Sequence, residues 1–219
     1  MTSNPEPGRD PEPGRDPEPG RDPEPGRNPE PGRNPEPGRL DWRPARDAGP
    51  CEHEATSLLA APVSEFLAGW PHAEQVSVAA IDPDLADTAA FCEHYGIDPA
   101  RSANCVVVAG KRAGEVRFAA CLVLATDRAD VNGTVRRLLD VRKASFAAMA
   151  EAVELTGMEY GGITPIGLPV GWPVLVAAEV AAAGPVVIGS GLRRSKLLLD
   201  GALLARLPDA EVVAELSQR

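Results

Sequence analysis

Short apolar blocks alternate with polar ones along the chain, and their spacing predicts alternating strands and helices. Residues 76–81 are apolar enough to form a strand, and residues 82–95 have the apolar spacing and acidic start of a helix that Gly96 ends. Residues 103–109 form a nearly continuous apolar run, as in a central strand. A glycine-containing turn joins this run to residues 116–125, so the two runs predict an antiparallel hairpin.

Shorter elements of the same kinds surround this hairpin. The helical pattern covers 56–67 with Pro62 inside it, then 127–139, 149–155, a small Ala-rich segment before Gly184, and 201–207. The strand pattern covers 141–146, 174–176, 185–188 and 195–199, and residues 211–216 close the domain. Because helices and hairpins alternate without a regular β-α-β period, we expect an α+β fold, with a mixed, strongly curved sheet of about six or seven strands and flanking helices.

The N-terminal segment has a different composition. Residues 4–39 are six copies of the unit (Asn/Asp)-Pro-Glu-Pro-Gly-Arg, with two prolines and one glycine in each copy. Such a repeat cannot bury enough apolar surface to offset the entropy of ordering, so residues 1–39 are predicted to be a disordered, partly polyproline-II tether. Residues 40–55 are then a connector, and residues 56–219 form the folded domain.

The charge balance limits the classes of partner. The formal net charge is −10, of which −3 belongs to residues 1–39 and −7 to residues 40–219. This acidic balance argues against a protein that coats DNA or RNA through a broad cationic face. The longest apolar stretch, residues 173–189, is interrupted by Glu179 and Gly184, so it predicts strand, short helix and strand and not a membrane span. No charged and apolar leader opens the chain, which favours a cytoplasmic protein.

The four cysteines lie far apart and lack C-x-x-C spacing, so they are expected to be free thiols of a cytosolic protein. They are Cys51, Cys92, Cys105 and Cys121. The segments 51–53 and 92–94 both read Cys-Glu-His and together would offer four zinc ligands. The usual paired-ligand spacing is missing, however, so we expect no metal and no other cofactor.

The most constrained stretch is the glycine loop, which we define as residues 156–169. It contains the pair Gly161-Gly162, then Pro165 and Gly167, and this spacing cannot continue a helix. Glycine lets the backbone adopt positive φ and lets a ligand approach the main chain closely, while proline stiffens the loop. Spacing alone leaves two interpretations open: a loop whose backbone grips a ligand, and a tight connection between core elements.

Basic residues form three clusters after the hairpin: Arg136-Arg137, Arg142-Lys143, and Arg193-Arg194 with Lys196. Such clusters are usually solvated faces. If the second and third converge on the glycine loop, they would instead form a small phosphate-binding rim on an acidic protein. The three histidines precede the hairpin and are predicted to lie on the surface or on helix faces: His53, His72 and His94.

With these motifs identified, residues 73–217 resemble the YbaK/EbsC family. The segments that carry the resemblance are Ala103-Asn104-Cys105-Val106, Arg142-Lys143-Ala144-Ser145, Gly161-Gly162-Ile163-Thr164-Pro165-Ile166-Gly167 and Gly189-Ser190-Gly191. Members of this family are freestanding relatives of the editing domain inserted in bacterial prolyl-tRNA synthetase. They hydrolyse the ester that joins a small amino acid to the 3′ end of a mischarged tRNA, without a metal. The resemblance implies an aminoacyl-tRNA deacylase whose partners are the 3′ end of aminoacyl-tRNA and, as a second candidate, an aminoacyl-tRNA synthetase.

The resemblance also implies which residues form the site. The stretch from Gly161 to Pro165 matches the family's G-x-x-x-P loop, whose backbone binds the aminoacyl group. The attacking water is then helped by the terminal ribose hydroxyl of the substrate and by backbone polarisation of the carbonyl. We expect catalytic roles for Asn104, Gly161, Gly162 and Pro165. We expect substrate contacts from the loop and the segments around it: Thr164, Gly167, Lys143, Ser145, Gly189, Ser190, Gly191 and Arg194.

The chain departs from the family at two positions. The family strand usually reads Lys-Thr-Leu where this chain has Asn104-Cys105-Val106, and a family aspartate is replaced by Ala177. Losing a cation and an anion together leaves the pocket neutral, unless Lys143 or the segment 193–196 supplies replacement charge. The alternative function is therefore a catalytically silent module that binds an aminoacyl-tRNA end, a nucleotide or a protein.

Overall fold

Strands arranged in three sheets form the framework of residues 40–48 and 57–219, the part of the chain that the computed structural model describes besides Met1. The strands are β1 (Arg43–Pro44), β2 (Ser77–Ala80), β3 (Ala103–Arg112), β4 (Glu115–Leu124), β5 (Arg128–Ala129), β6 (Ala144–Phe146), β7 (Val174–Ala177), β8 (Pro185–Gly189), β9 (Ser195–Asp200), β10 (Ala210–Val213) and β11 (Ser217–Gln218). Residues 2–39, which hold the repeats of the predicted tail, and residues 49–56, with Cys51 and His53, lie outside the described residues.

The predicted hairpin is the centre of the five-stranded sheet, whose order is β10-β7-β4-β3-β6. Strands β3 and β4 pair antiparallel along their whole length, and a two-residue turn of Ala113 and Gly114 joins them. Both turn residues have positive φ, 51° and 91°, as in the turns whose twist matches that of a hairpin. Strand β7 lies parallel to β4 and β10 lies parallel to β7, so the sheet is mixed.

A second, four-stranded sheet has the order β1-β2-β9-β8 and is antiparallel throughout. A single parallel bridge between Ser102 and Val187 connects it to the start of β3. Strands β5 and β11 form a separate two-stranded pair. The α+β class is confirmed, but the described strands are divided among three sheets where one curved sheet was expected.

Short helices cover these sheets. The α helices are α1 (Ala61–Gly69), α2 (Thr88–Tyr95), α3 (Arg136–Leu138), α4 (Met149–Thr156), α5 (Ala178–Ala181) and α6 (Gly201–Leu204). Single 3-10 turns lie at Ala45–Ala48, Ala73–Gln75, Pro83–Leu85 and Pro99–Arg101, and a π turn lies at Val131–Val135. None of the helices within residues 40–48 and 57–219 combines the length and the apolar character that a membrane span requires.

Capping side chains explain where the observed helices differ from the predicted ones. The predicted helix 82–95 is interrupted because Asp87 accepts hydrogen bonds from the N–H groups of Ala89 and Ala90 and so begins α2. In the predicted helix 127–139, Asp130 caps the turn that begins at Val131 in the same way. Pro62 lies in the first turn of α1, where its missing N–H costs nothing, so it starts this helix instead of kinking it.

The main apolar core lies between the two larger sheets and the helices that cover them. It includes fully buried side chains from β4, β7 and β9, such as Leu122, Val176 and Leu197. Ala45 also packs into it, so the first part of the predicted connector belongs to the folded unit. A second, smaller cluster lies under α2 around Phe91 and borders the cavity described below.

Candidate functional site

The glycine loop begins where α4 ends and is held by the segment after β8. Gly157 has a φ of 65° and closes α4. Beyond it, the N–H of Glu159 donates to the carbonyl of Gly191 at 2.8 Å, and the N–H of Gly191 donates to the carbonyl of Gly162 at 2.8 Å. The carboxylate of Glu159 also accepts a hydrogen bond from the backbone N–H of Arg193 at 2.6 Å. Three hydrogen bonds to residues 191–193 therefore hold the first half of the loop at Glu159 and Gly162.

Three glycines are required by the close packing of these two segments. A Cβ at Gly189 would collide with the carbonyl oxygens of Gly162 and Ile163. A Cβ at Gly162 would collide with the backbone of Leu192, and one at Gly191 with the side chain of Ala60. Gly162, predicted to be catalytic, and Gly189 and Gly191, predicted to contact substrate, thus have a packing role, because two backbones approach each other there.

The two halves of the glycine loop face different surroundings. Gly161 has a φ of 84° and Ile163 is half-buried, and both line a cavity. Thr164 and Pro165 are buried in the interior instead, and Gly167 lies against the carbonyl of Pro62. The hydroxyl of Thr164 has no hydrogen-bond partner among the described residues. The structure therefore brings the first half of the loop, and not residues 164–167, to the cavity.

This glycine-loop cavity has a volume of about 530 Å³ and lies between the two larger sheets. Residues of both sheets, of the segment before α2, of α4 and of the glycine loop line it: Ala86, Asp87, Thr88, 102–107, Phe146, Ala147, Met149, Ala152, Tyr160, Gly161, Ile163, Ile188, Gly189, Arg193 and Lys196. Of the predicted site residues, the cavity brings together Asn104, Gly161 and Gly189.

Asn104 lies at the junction of this cavity with two others. They have volumes of about 610 and 500 Å³, and their linings, among the described residues, contain no part of the glycine loop. The side-chain oxygen of Asn104 accepts a hydrogen bond from the hydroxyl of Thr88 at 2.6 Å. Its amide N–H groups are then the donors that remain for a ligand.

The most unusual side chain in the cavity is that of Lys196, on β9. It is only 6% exposed, its ammonium group donates to the carbonyl of Ala86 at 3.0 Å, and it lies 5.2 Å from the centre of the Phe91 ring. Burial lowers its pKa to about 8, while Cys92 and Asp87 oppose this decrease and Arg193 adds to it. The sequence pointed to the segment 193–196 as replacement charge but did not single out Lys196 as a site residue.

Arg193 and Arg194 are adjacent in sequence but lie in different places. The guanidinium of Arg193 lines the cavity and donates to the carbonyls of Pro83 and Tyr160 at 3.0 and 3.4 Å. Arg194, which was predicted to bind substrate, donates through Nε to the carbonyl of Ser57 at 2.9 Å and is not among the lining residues. Arg193 therefore braces the glycine loop against the turn before α2.

Other predicted site residues lie away from the cavity lining. Lys143 and Ser145 are exposed, with Ser145 on the edge strand β6. Ser190 is buried and bonded to the backbone of Leu192 and to Ser195, which indicates a structural contact.

Three side chains at the cavity are both apolar and exposed. Phe146, Met149 and Tyr160 are 63%, 57% and 61% exposed, and all three belong to the lining. They come from β6, α4 and the glycine loop. We call them the apolar rim, and the two aromatic rings among them offer flat surfaces to a planar ligand.

The thiols near the cavity do not favour nucleophilic catalysis. Burial raises the pKa of the Cys105 thiol, which lines the cavity, and also that of Cys92. Both therefore remain protonated near neutral pH, and a thiol is a much weaker nucleophile than a thiolate. No group of three or more His, Cys, Asp or Glu side chains that could hold a metal ion occurs in the described part of the chain, and Cys51 and His53 fall outside it.

The fold and the cavity define the class: an α+β domain with a partly open cavity lined by loop backbone, an amide and a buried cation. The chain belongs to the aminoacyl-tRNA editing domain family, whose model matches residues 82–207. This confirms the resemblance seen in the sequence. A comparison with curated proteins finds no match.

Solved structures support the fold. One, described as a candidate trans-editing enzyme for prolyl-tRNA synthetase, is 23% identical with a TM-score of 0.61, covering 73% of this chain and 97% of its own. Another, of a hypothetical protein, is 22% identical with a TM-score of 0.62, covering 72% and 99%. A third comes from epitope grafting by computational design and is 21% identical, with a TM-score of 0.60 and coverage of 73% and 97%. At these identities the likeness shows the fold alone.

Proposed function

We propose that the protein is a trans-editing deacylase that hydrolyses the ester joining a small amino acid to the 3′ end of a mischarged tRNA. The observation that carries this proposal is the meeting of Gly161, Asn104 and Lys196 in one cavity of about 530 Å³. Family membership supports tRNA editing in general, and the polar groups in the cavity support the more specific proposal of ester hydrolysis. The tRNA 3′ end is the proposed partner, with a synthetase as a further one, and the cytoplasm is the proposed location.

The reaction needs few groups from the protein. The oxygen of a water bonds to the ester carbon, and the bond from that carbon to the ribose oxygen breaks. The water proton passes to the departing ribose oxygen, which yields the free amino acid and a tRNA with an intact hydroxyl. Because negative charge develops on the carbonyl oxygen in this reaction, hydrogen-bond donors fixed beside it lower the barrier. The backbone of Gly161 and the amide of Asn104 are the proposed donors.

The walls of the cavity suit a small aminoacyl group. Val107, Ala147, Ala152 and Ile163 are short or branched apolar side chains, and they line the same space as the polar groups. A cavity of this size accommodates a nucleoside with a small attached group. The apolar rim is placed to stack on the terminal base, as aromatic side chains do on unpaired bases of RNA.

The test is a deacylation panel. The purified full chain is offered tRNAs mischarged with small amino acids, such as alanine, cysteine and serine, and also tRNAs charged with a bulky aromatic amino acid. We expect release of one or more small amino acids above the spontaneous rate, and no release of the bulky one. A folded protein that releases none of them contradicts the proposal.

One observation favours the alternative of a silent binding module. The position of the family lysine is held by Asn104, which is neutral and whose oxygen is engaged by Thr88. A protein that binds uncharged tRNA but leaves every ester of the panel intact supports this second function. The same panel, combined with a tRNA binding measurement, therefore separates the two functions.

A further inference from the structure

The buried ammonium group of Lys196 has more N–H donors than the described residues accept from. An ammonium group carries three N–H donors. Among the described residues, one of them bonds to the carbonyl of Ala86, and the ring of Phe91 lies on another side. The side chain is also part of the cavity lining. Lys196 can therefore offer a hydrogen bond and a positive charge to a molecule inside the cavity.

The other charged groups that line the cavity, Asp87 and Arg193, already bond to backbone groups. Asp87 caps α2 through two backbone N–H groups. Arg193 donates to the carbonyls of Pro83 and Tyr160, which hold its guanidinium group against the loop. Among the charged side chains that line the cavity, Lys196 is thus the most buried and makes the fewest hydrogen bonds.

Lys196 also lies next to the glycine loop through strand pairing. In the register of β8 and β9 it is opposite Gly189, and Gly189 abuts the carbonyls of Gly162 and Ile163. One strand therefore separates the backbone of Lys196 from that loop. Gly161 and Lys196 line the same cavity, so a substrate held by the backbone of Gly161 occupies the space that Lys196 also borders.

The protonation state decides which role is open to Lys196. Burial lowers the pKa of Lys196 to about 8, so the ammonium form remains in excess near pH 7. A protonated lysine cannot take a proton from the attacking water, but it can stabilise an anion in a site of low dielectric constant. Its chemistry is therefore that of a cation.

We propose that Lys196 is a catalytic residue that stabilises the negative charge developing on the ester carbonyl oxygen of the substrate. This rests on the proposed deacylase function, which it deepens by assigning the cation of the site to β9. The sequence left open which basic residue replaces the charge missing at Asn104, and the cavity lining favours Lys196 over Lys143 and Arg194.

Two stable probes test this assignment by calorimetry. Both carry an alanine-like group at the 3′ position of adenosine, one through a neutral amide and the other through a phosphonate, which mimics the tetrahedral anion. We expect the wild-type protein to bind the phosphonate probe at least about tenfold more tightly than the amide, and Lys196→Met to lose this preference. Lys143→Met, which removes an exposed cation outside the cavity lining, is the matched control and should keep it.

Folding is checked by circular dichroism, and Lys196→Gln replaces the methionine variant if that variant does not fold. A Lys196 variant that keeps the preference, or a wild-type protein without any preference, overturns the assignment. If the wild-type protein hydrolyses an ester of the panel and Lys196→Met does so at the same rate, only the role of Lys196 is overturned and the deacylase proposal stands. The wild-type protein could instead hydrolyse no ester of the panel and still prefer the phosphonate probe, with Lys196→Met losing that preference. In that case the deacylase proposal fails and the anion site at Lys196 stands.

Discussion

Asn104 and Lys196 line the same cavity although they lie on strands of different sheets. Asn104 enters from β3 of the five-stranded sheet and Lys196 from β9 of the four-stranded sheet. The bridge between Ser102 and Val187 joins these sheets close to both residues, because Val187 lies two positions before Gly189, the register partner of Lys196. The two sheets therefore meet at the cavity, and each contributes one of these two polar side chains to its lining.

Burying Lys196 should lower stability near neutral pH. A pKa lowered from 10.5 to about 8 corresponds to a cost on the order of 3 kcal/mol while the group is charged. Lys196→Met removes that cost but leaves the carbonyl of Ala86 without its partner, which costs about 1 kcal/mol. We expect the free energy of unfolding near pH 7 to rise by about 1–2 kcal/mol, measured by urea unfolding.

The same substitution should change the pH dependence of stability. Between pH 8 and 10.5 the unfolded state holds the Lys196 proton that the folded state has lost, so the unfavourable contribution of Lys196 to the free energy of unfolding decreases as pH rises in this window. Cys92, Asp87 and Arg193, which influence this pKa, remain in the variant. The stability advantage of the variant should therefore shrink as pH rises from 8 toward 10.5, and it should reverse once the cost of the buried charge falls below the roughly 1 kcal/mol of the lost hydrogen bond. A difference that is constant with pH would contradict the lowered pKa.

Local features of the site could be predicted from the sequence. The hairpin of β3 and β4 follows from two apolar runs joined by a short turn, and the end of α4 follows from Gly157. The glycine loop follows from the spacing of Gly161, Gly162 and Pro165, because these residues exclude a helix whatever surrounds them. Each of these predictions depends only on residues that are close together in the chain.

The position of the basic side chains could not be predicted in the same way. Arg193, Arg194 and Lys196 lie within four residues, yet the first braces the loop, the second bonds to Ser57 and the third enters the cavity. The direction of Lys196 depends on the pairing of β9 with β2 and β8, which are distant in sequence. Arg193 and Arg194 precede β9 and bond to the equally distant carbonyls of Pro83 and Ser57. A shift of one residue in that register would reverse which side chains face inward.

The apolar rim should contribute to binding of the tRNA end by stacking. Phe146 and Tyr160 expose their rings beside the cavity, where no described residue covers more than part of them. Stacking of a base on an aromatic ring is worth about 1–3 kcal/mol, so Phe146→Ala or Tyr160→Ala should weaken binding of a short RNA ending in adenosine by about 5- to 150-fold. Fluorescence anisotropy with labelled RNA measures this effect.

Val170→Ala is the control for removing exposed apolar surface, because Val170 is fully exposed and outside the cavity lining. Its affinity for the RNA should match that of the wild-type protein. Equal losses in the Phe146, Tyr160 and Val170 variants would mean that the rim has no specific role in base recognition.

The backbone of Gly161 should matter more for activity than for stability. Its φ of 84° is strained for any other residue, and a Cβ there would lie 2.9 Å from the guanidinium of Arg193. Gly171 has nearly the same φ, 83°, and a Cβ added to it would point into open space. Both glycine-to-alanine variants should lose about 1 kcal/mol of stability, since the conformational penalty is the same.

In the deacylation assay, only Gly161→Ala should lose about tenfold or more in rate, because it alone alters the backbone that lines the cavity. Thermal unfolding of both variants establishes that their stabilities are matched. If Gly171→Ala loses as much activity as Gly161→Ala, the effect arises from general destabilisation and the loop does not bind the reacting group.

An exchange of charge between the two sheets tests whether the location of the cation matters. Asn104→Lys alone places a second cation in the cavity of Lys196 and removes the acceptor of the Thr88 hydroxyl, so we expect lower activity. In the Lys196→Met background the same change supplies the only lysine among the described lining residues. We therefore expect it to recover about tenfold or more of the lost deacylation rate.

The control for this exchange is Val170→Lys in the Lys196→Met background, which restores the net charge at a fully exposed position outside the lining. It should recover no activity, because an exposed charge is screened by water and salt before it reaches the cavity. Recovery by Val170→Lys would show that net charge, through attraction of tRNA, limits the reaction. Recovery in the Asn104→Lys, Lys196→Met double variant, without recovery in the Val170→Lys, Lys196→Met double variant, would show that the reaction requires a cation inside the cavity and that either sheet can provide it.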